Sequence, residues 1–185
     1  AGAAGAGGET GATGAAGITG PTGPAMEVSE NENTASSYKL LFETPDQQII
    51  SSNLRPRTIK YIGALDSSGK VMRIPVGNIA YKLAYSSASG LRLSLEPLDP
   101  AVPVVADIKR STNYNTAAEG DQWDDRNLTG NLVIDALIYF SSNEMHKTII
   151  RQKDPVTQVW SMCQVSMFAS LKGKRVTDWV TWIEN

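Results

Sequence analysis

One cysteine and one histidine are all that 185 residues hold of the two side chains most used for disulfides, redox chemistry and metal binding. Cys163 alone excludes an intrachain disulfide and leaves no second thiol for a zinc or CxxC motif. Its setting, QVWSMCQVSMF, predicts a small buried apolar residue. His146 falls in a polar stretch, SSNEMHK, that reads as a turn. No GxSxG, HExxH or phosphate-cradling glycine loop appears, so no catalytic residue, metal or cofactor is assigned and an enzyme is not expected.

Charge of one sign is missing too. With 17 basic and 19 acidic residues the net charge is −2, which supplies no field to steer the chain toward nucleic acid. Nor does any stretch reach the ~20 consecutive apolar residues of a spanning helix, so no membrane insertion is expected. The chain opens without the basic patch and apolar run of a secretion signal.

What the sequence does have is glycine in phase. Gly2, Gly5, Gly8, Gly11, Gly14, Gly17, Gly20 and Gly23 occupy every third position without a miss, and the next slot holds Met26. Such a period has a well-defined physical cause: three polyproline-II chains wound together leave room at their axis for hydrogen and nothing larger. A flexible Gly/Ala linker has no reason to keep that phase. Proline occurs in the triplets only at Pro21 and Pro24, while Thr10, Thr13, Thr19 and Thr22 fill the last slot of four triplets. Because Ala1 takes the last slot of a preceding triplet, a longer repeat upstream is expected. The reading is a triple-helical stalk over residues 1–25, a parallel homotrimer with the eight glycines at its axis, and a polar linker over 26–36.

Residues 37–185 read as an all-β head, with 41% hydrophobic residues in the whole chain to build a core. Period-two segments recur at 37–42, 57–65, 70–76, 78–85, 90–98, 102–108, 131–140, 147–152, 158–168 and 175–185. GLRLSLEPL alternates most cleanly, with Leu91, Leu93 and Leu95 on one side and Arg92, Ser94 and Glu96 on the other. DSSG (66–69) and SSASG (86–90) have the composition of hairpin turns. The fold class expected is an antiparallel β-sandwich, immunoglobulin-like or jelly-roll, with the alternative of a 37–155 module followed by a 156–185 extension.

The longest polar gap, Lys109 to Gly130, reads as a loop carrying Tyr114 and Trp123 beside Asp124 and Asp125. Aromatic faces next to carboxylates suit a sugar ring, so these four residues are the candidate receptor contacts for a bacterial surface glycan. The same composition also fits a solvated loop with one anchoring Trp. DQWDD lacks the oxygen spacing and glycine of a calcium loop. Trp179 and Trp182, three apart, fall on opposite faces of a strand or on one face of a helix; burial of both is the first expectation, and one in the core with the other meeting a neighbouring subunit is the alternative.

A Gly-X-Y run with Ala and Thr at its variable sites, ending GITGPTGPAM and passing into a β-rich head, resembles the collagen-like segments of tailed-bacteriophage fibres and capsid appendages. The specific match covers residues 2–25. The resemblance implies a virion location, partnership with other virion or fibre proteins, and a structural or host-attachment role; no contact residue transfers with it. Two other classes share the stalk: a bacterial or spore-surface adhesin, located at the cell surface, and a fibre-borne polysaccharide depolymerase.

Overall fold

The computed structural model describes residues 1–5, 7–17, 20, 23, 25–34, 37–113, 118–170 and 175–183. Among them there is no helix, and all strand pairs are antiparallel. The described part of 1–25 is exposed and without secondary structure, so this single chain shows no helical stalk. A Cβ built at any of the eight phased glycines meets nothing within 4 Å.

A small sheet follows at once, made of β1 (Glu27–Asn33), β2 (Tyr38–Thr44) and β3 (Gln47–Ile50) in that order. Strand β1 lies where a polar linker was expected. EVSENEN has no apolar alternation, and what holds it is the ladder to β2, from Glu27 opposite Glu43 to Asn33 opposite Tyr38.

The head contains two further sheets. One has four strands in the order β10 (Leu132–Tyr139), β7 (Gly90–Pro97), β6 (Ile79–Ser87), β5 (Val71–Val76). The other has six, in the order β4 (Thr58–Gly63), β13 (Arg175–Ile183), β12 (Trp160–Ser170), β11 (Glu144–Lys153), β8 (Val104–Asn113), β9 (Ala118–Leu128). One hydrophobic cluster draws on both, with Ile74, Tyr81, Leu83, Leu91, Leu93 and Leu95 from the first and Ile108, Ile150, Cys163, Val165 and Val180 from the second. The arrangement is consistent with a β-sandwich, with β8, β11, β12 and β13 burying alternate residues. Strands β12 and β13 lie inside the six-stranded sheet, between β11 and β4.

Connections explain two departures from expectation. SSASG does close the β6–β7 hairpin, but DSSG joins strands of different sheets, carrying the chain from β4 to β5 across the core. A tighter hairpin is the β5–β6 turn, where Val76 faces Ile79 across Gly77 and Asn78. Gly77 has φ +65, and a glycine with positive φ at the first turn position is what a II′ hairpin needs. The Gln152 side chain clamps that turn: its Nε2 donates to the Val76 carbonyl at 2.7 Å and its Oε1 accepts from the Asn78 N–H at 2.8 Å.

Candidate functional site

The expected loop from Lys109 to Gly130 is a hairpin arm. Strands β8 and β9 pair from Val104 opposite Leu128 to Asn113 opposite Ala118, and the polar composition of β9 reflects its place at the sheet edge, exposed over most of its length. Polar residues hide a strand from period-two reading when both of its faces are wet.

Within this arm the candidate contacts separate. Trp123 pairs with Ile108 and packs, half-buried, against the hydrophobic core. Asp124 and Asp125 stand in a bulge, two residues opposite Asp107 alone, where the register slips between Ala106 and Ile108. Both are exposed, and Asp125 takes the left-handed conformation with φ +47. Tyr114 lies outside the described residues. The structure therefore groups the two carboxylates but turns the Trp123 ring toward the interior.

The bulge is braced from the outer face of the sheet. The Asp107 carboxylate accepts the Asp125 N–H at 2.9 Å and the Arg151 guanidinium at 3.0 Å. The Asp125 N–H, more than burial opposes, holds the Asp107 carboxyl below its usual range, with Arg151 adding to the effect. Arg151 in turn lies 4.1 Å over the Trp160 ring. The outer surface thus presents Trp160, Arg151, Asp107 and Asp125 as one polar and aromatic strip.

Beneath the hairpin lies a buried polar cluster that sequence reading did not find. Successive inward residues of β8, Arg110 and Thr112, face Thr148 and His146 of β11. Arg110 donates to Asp135 of β10, to Asp121 of β9 and, at 2.9 Å, to the Thr112 hydroxyl. Thr112 lies 2.8 Å from His146 Nδ1, and His146 Nε2 lies 3.2 Å from Glu144 Oε2. The Glu144 carboxylate can only accept, so Nε2 donates to it, while the Thr112 hydroxyl, which accepts from Arg110, bridges that guanidinium and Nδ1. Glu144 Oε1 accepts from Ser142 Oγ at 2.6 Å and from the Tyr139 N–H at 2.9 Å.

His146 is therefore not in a turn. It is fully buried on β11. Burial pushes the Glu144 carboxyl up, but the hydrogen bonds from His146, Ser142 and Tyr139 outweigh it and hold the group below its usual range. Thr112, His146 and Glu144 stand in the order of a nucleophile, a base and its orienting acid. All three have no exposed surface, so the chain of bonds ties strands together and offers no atom to a substrate. A signal for it did exist: Asp135 is a lone charge inside the apolar run NLVIDALIYF, and a charge in such a place needs a buried partner.

One further buried group has no such partner. Asp178 of β13 shares its register row with Met167 and Tyr61, and no donor among the described residues reaches either of its oxygens. Burial pushes its carboxyl up to about 7. Burial and then the Asp178 charge hold the Tyr81 phenol well above its usual range.

A cleft of about 370 Å³ opens where the small sheet meets the head, walled by Asn33, Arg55, Tyr61, Asn78, Asp154 and Trp182. Its polar groups are engaged with one another. Arg55 donates to the Thr34 carbonyl at 2.6 Å and to Asn33 at 2.8 Å, and Asp154 accepts from Asn78 at 3.0 Å and from the Thr157 N–H at 2.7 Å. Trp182 faces inward and is 6% exposed, whereas Trp179 faces outward at 37%. Among the described residues no group of three His, Cys, Asp or Glu side chains is placed to hold a metal ion. No family model matches the chain, and neither the curated proteins nor the solved structures contain a match to it.

Proposed function

We propose that this chain is a trimeric structural and attachment module of a bacteriophage fibre or capsid appendage, in which a collagen-like stalk spaces a β-sandwich head from the particle. The observation that carries the reading is the phase of eight glycines, which nothing within the chain demands. None of them has positive φ, the described glycines with that conformation being Gly69 and Gly77. None would place a Cβ against a neighbouring atom. With backbone conformation and intrachain packing both set aside, the constraint comes from other chains, and a period of three is the one that a triple helix imposes.

The head supports the same reading. Four and six strands make ten, and the connections β4–β5, β7–β8, β9–β10 and β10–β11 pass between the sheets, which favours a jelly-roll over an immunoglobulin-like arrangement. For host binding, the bulge at Asp124 and Asp125 is the first surface to test against a bacterial glycan, with Tyr114 and Trp123 of the 109–130 segment as the further candidates.

Light scattering tests the assembly: the full chain should have a mass of about 60 kDa, three times 19.9 kDa. A monomer at micromolar concentration sinks the proposal. Replacing Gly14 with leucine should remove the polyproline-II signal of the stalk in circular dichroism and leave the β signal of the head. For attachment, Asp124→Ala should weaken binding to host cells with no change in mass or melting; unchanged binding removes the bulge from the contact surface.

A further inference from the structure

Strands β1 to β3 form a sheet with an apolar face that is exposed at its Val28–Ile49 end, whereas at its other end Arg55 donates to Asn33, which stands opposite Tyr38. Opposed residues of an antiparallel sheet share a face, so Val28, Phe42 and Ile49 make one cross-strand row. Leu40 and Tyr38 continue that face along β2, and Met26, two residues before Val28, extends it toward the stalk. Val28 is 55% exposed, Ile49 53% and Met26 60%. Glu30, on edge strand β1 opposite Leu40, is a charge on this side and accepts from the Asn33 amide at 3.1 Å. The opposite side carries the row Glu27, Glu43, Gln48 and the ion pair of Lys39 with Glu32 at 2.8 Å, around Leu41 and Ile50. No residue of the three strands is buried, and a sheet of this size needs its apolar side covered to be stable.

We propose that this face is covered by the same face of two further copies of the chain, so that three β1–β3 sheets close into an apolar neck around the stalk axis. The inference rests on the trimer proposed above and adds where the three chains are clamped. Four residues lie between Gly23 and Val28, and the five Cα-to-Cα steps span at most about 18 Å when fully extended. The row Val28, Phe42, Ile49 of each copy is thus tethered within reach of the other two once their glycines share an axis. The neck would fix the register of a stalk that has proline in only two of its eight triplets and so has little stiffness of its own. The side that carries Glu27, Glu43 and the Lys39–Glu32 ion pair then faces water.

The test uses the full chain and the variants Phe42→Asp and Ile49→Asp, with Ser29→Asp on the opposite side as a control. The concentration at which half the trimer dissociates is read by light scattering, and near-ultraviolet circular dichroism reports folding of the head, since all four tryptophans lie at or beyond position 123. Three carboxylates forced together in an apolar contact should raise that concentration at least about tenfold in both face variants, with the control within about threefold and the tryptophan signal intact. Face variants that dissociate like the wild type overturn the neck and leave the trimer standing. Loss of the tryptophan signal also overturns it, because the face would then belong to the folding of the head. A monomeric wild type removes the trimer itself, and the neck with it.

Discussion

Arg110 and Asp135 join the two sheets of the head through the core: the guanidinium on β8 of the six-stranded sheet donates to the carboxylate on β10 of the four-stranded one, with side chains 5% and 8% exposed. The other arm of Arg110 reaches Asp121, whose side chain is 46% exposed, so the charge is shared between the interior and the wet edge of the sheet. The pair sets the two layers in register where neighbouring contacts are apolar and tolerant of sliding.

Breaking such a pair from one side leaves a buried charge. Arg110→Met and Asp135→Leu should each destabilise the head by about 3–5 kcal/mol, whereas the double variant should cost less than the sum by at least about 1 kcal/mol. Urea unfolding of the four chains measures this. Additive losses would mean that the two residues act through separate partners.

Asp178 predicts a stability that falls as pH rises. Its folded value of about 7 stands above the ordinary 3.8, so between those limits the native chain keeps a proton that the unfolded chain has shed. The penalty grows from near zero at pH 4 to roughly 4 kcal/mol above pH 7. Asp178→Asn should match the wild type at pH 4 and be the more stable at pH 8. Glu144, Asp107 and Asp154, held below their usual ranges, lose stabilisation as pH falls, but they do so in both chains and cancel in the difference. A gap that widens toward acid would refute the assignment.

Cys163 is fully buried, and burial pushes its thiol up to about 12. Maleimide at pH 8 should modify the native chain at least about a hundredfold more slowly than the urea-unfolded chain. Equal rates would show that β12 is open to solvent on the timescale of the reaction.

Two turn glycines separate strain from collision. Gly69, with φ +79, has open space where a methyl group would stand, whereas at Gly77, with φ +65, the new carbon would lie 2.7 Å from both polar atoms of the Gln152 amide. Gly69→Ala should cost about 1–2 kcal/mol from backbone strain alone. Gly77→Ala should cost about 1–3 kcal/mol more, because Gln152 must release the turn it clamps. Thermal melts of the two variants decide the order.

Legibility in the sequence followed burial. Strands with one dry side, such as GLRLSLEPL and RVTDWVTWI, announce themselves by alternation, and they are the strands of the core. EVSENEN, QQII and AEGDQWDDRNL do not: the first two belong to a sheet in which no residue is fully buried, and the third is an edge. Strand β11 shows the converse, since its buried positions include Glu144, His146, Thr148 and Gln152 while Met145 faces water at 53% exposure. Polarity misleads there because each buried group except Thr148 is satisfied by a residue distant in sequence or by a neighbouring turn, which spacing alone does not display. Trp123, legible either as a displayed ring or as an anchor, packs against the core, because its partner across the ladder is the buried Ile108, which spacing along its own strand does not display.

The acidity of β9 has a consequence for crowding. As the last strand of its sheet it carries one unpaired row of backbone groups, a template onto which another chain could add a strand. Glu119, Asp121, Asp124 and Asp125 line that border, and the kink at Asp125 breaks its straightness. Where copies of the chain are crowded together, like charges and a bent rim make lateral fusion of neighbouring sheets unfavourable. Colloidal independence of the heads is thus written into the strand that contributes least to their core.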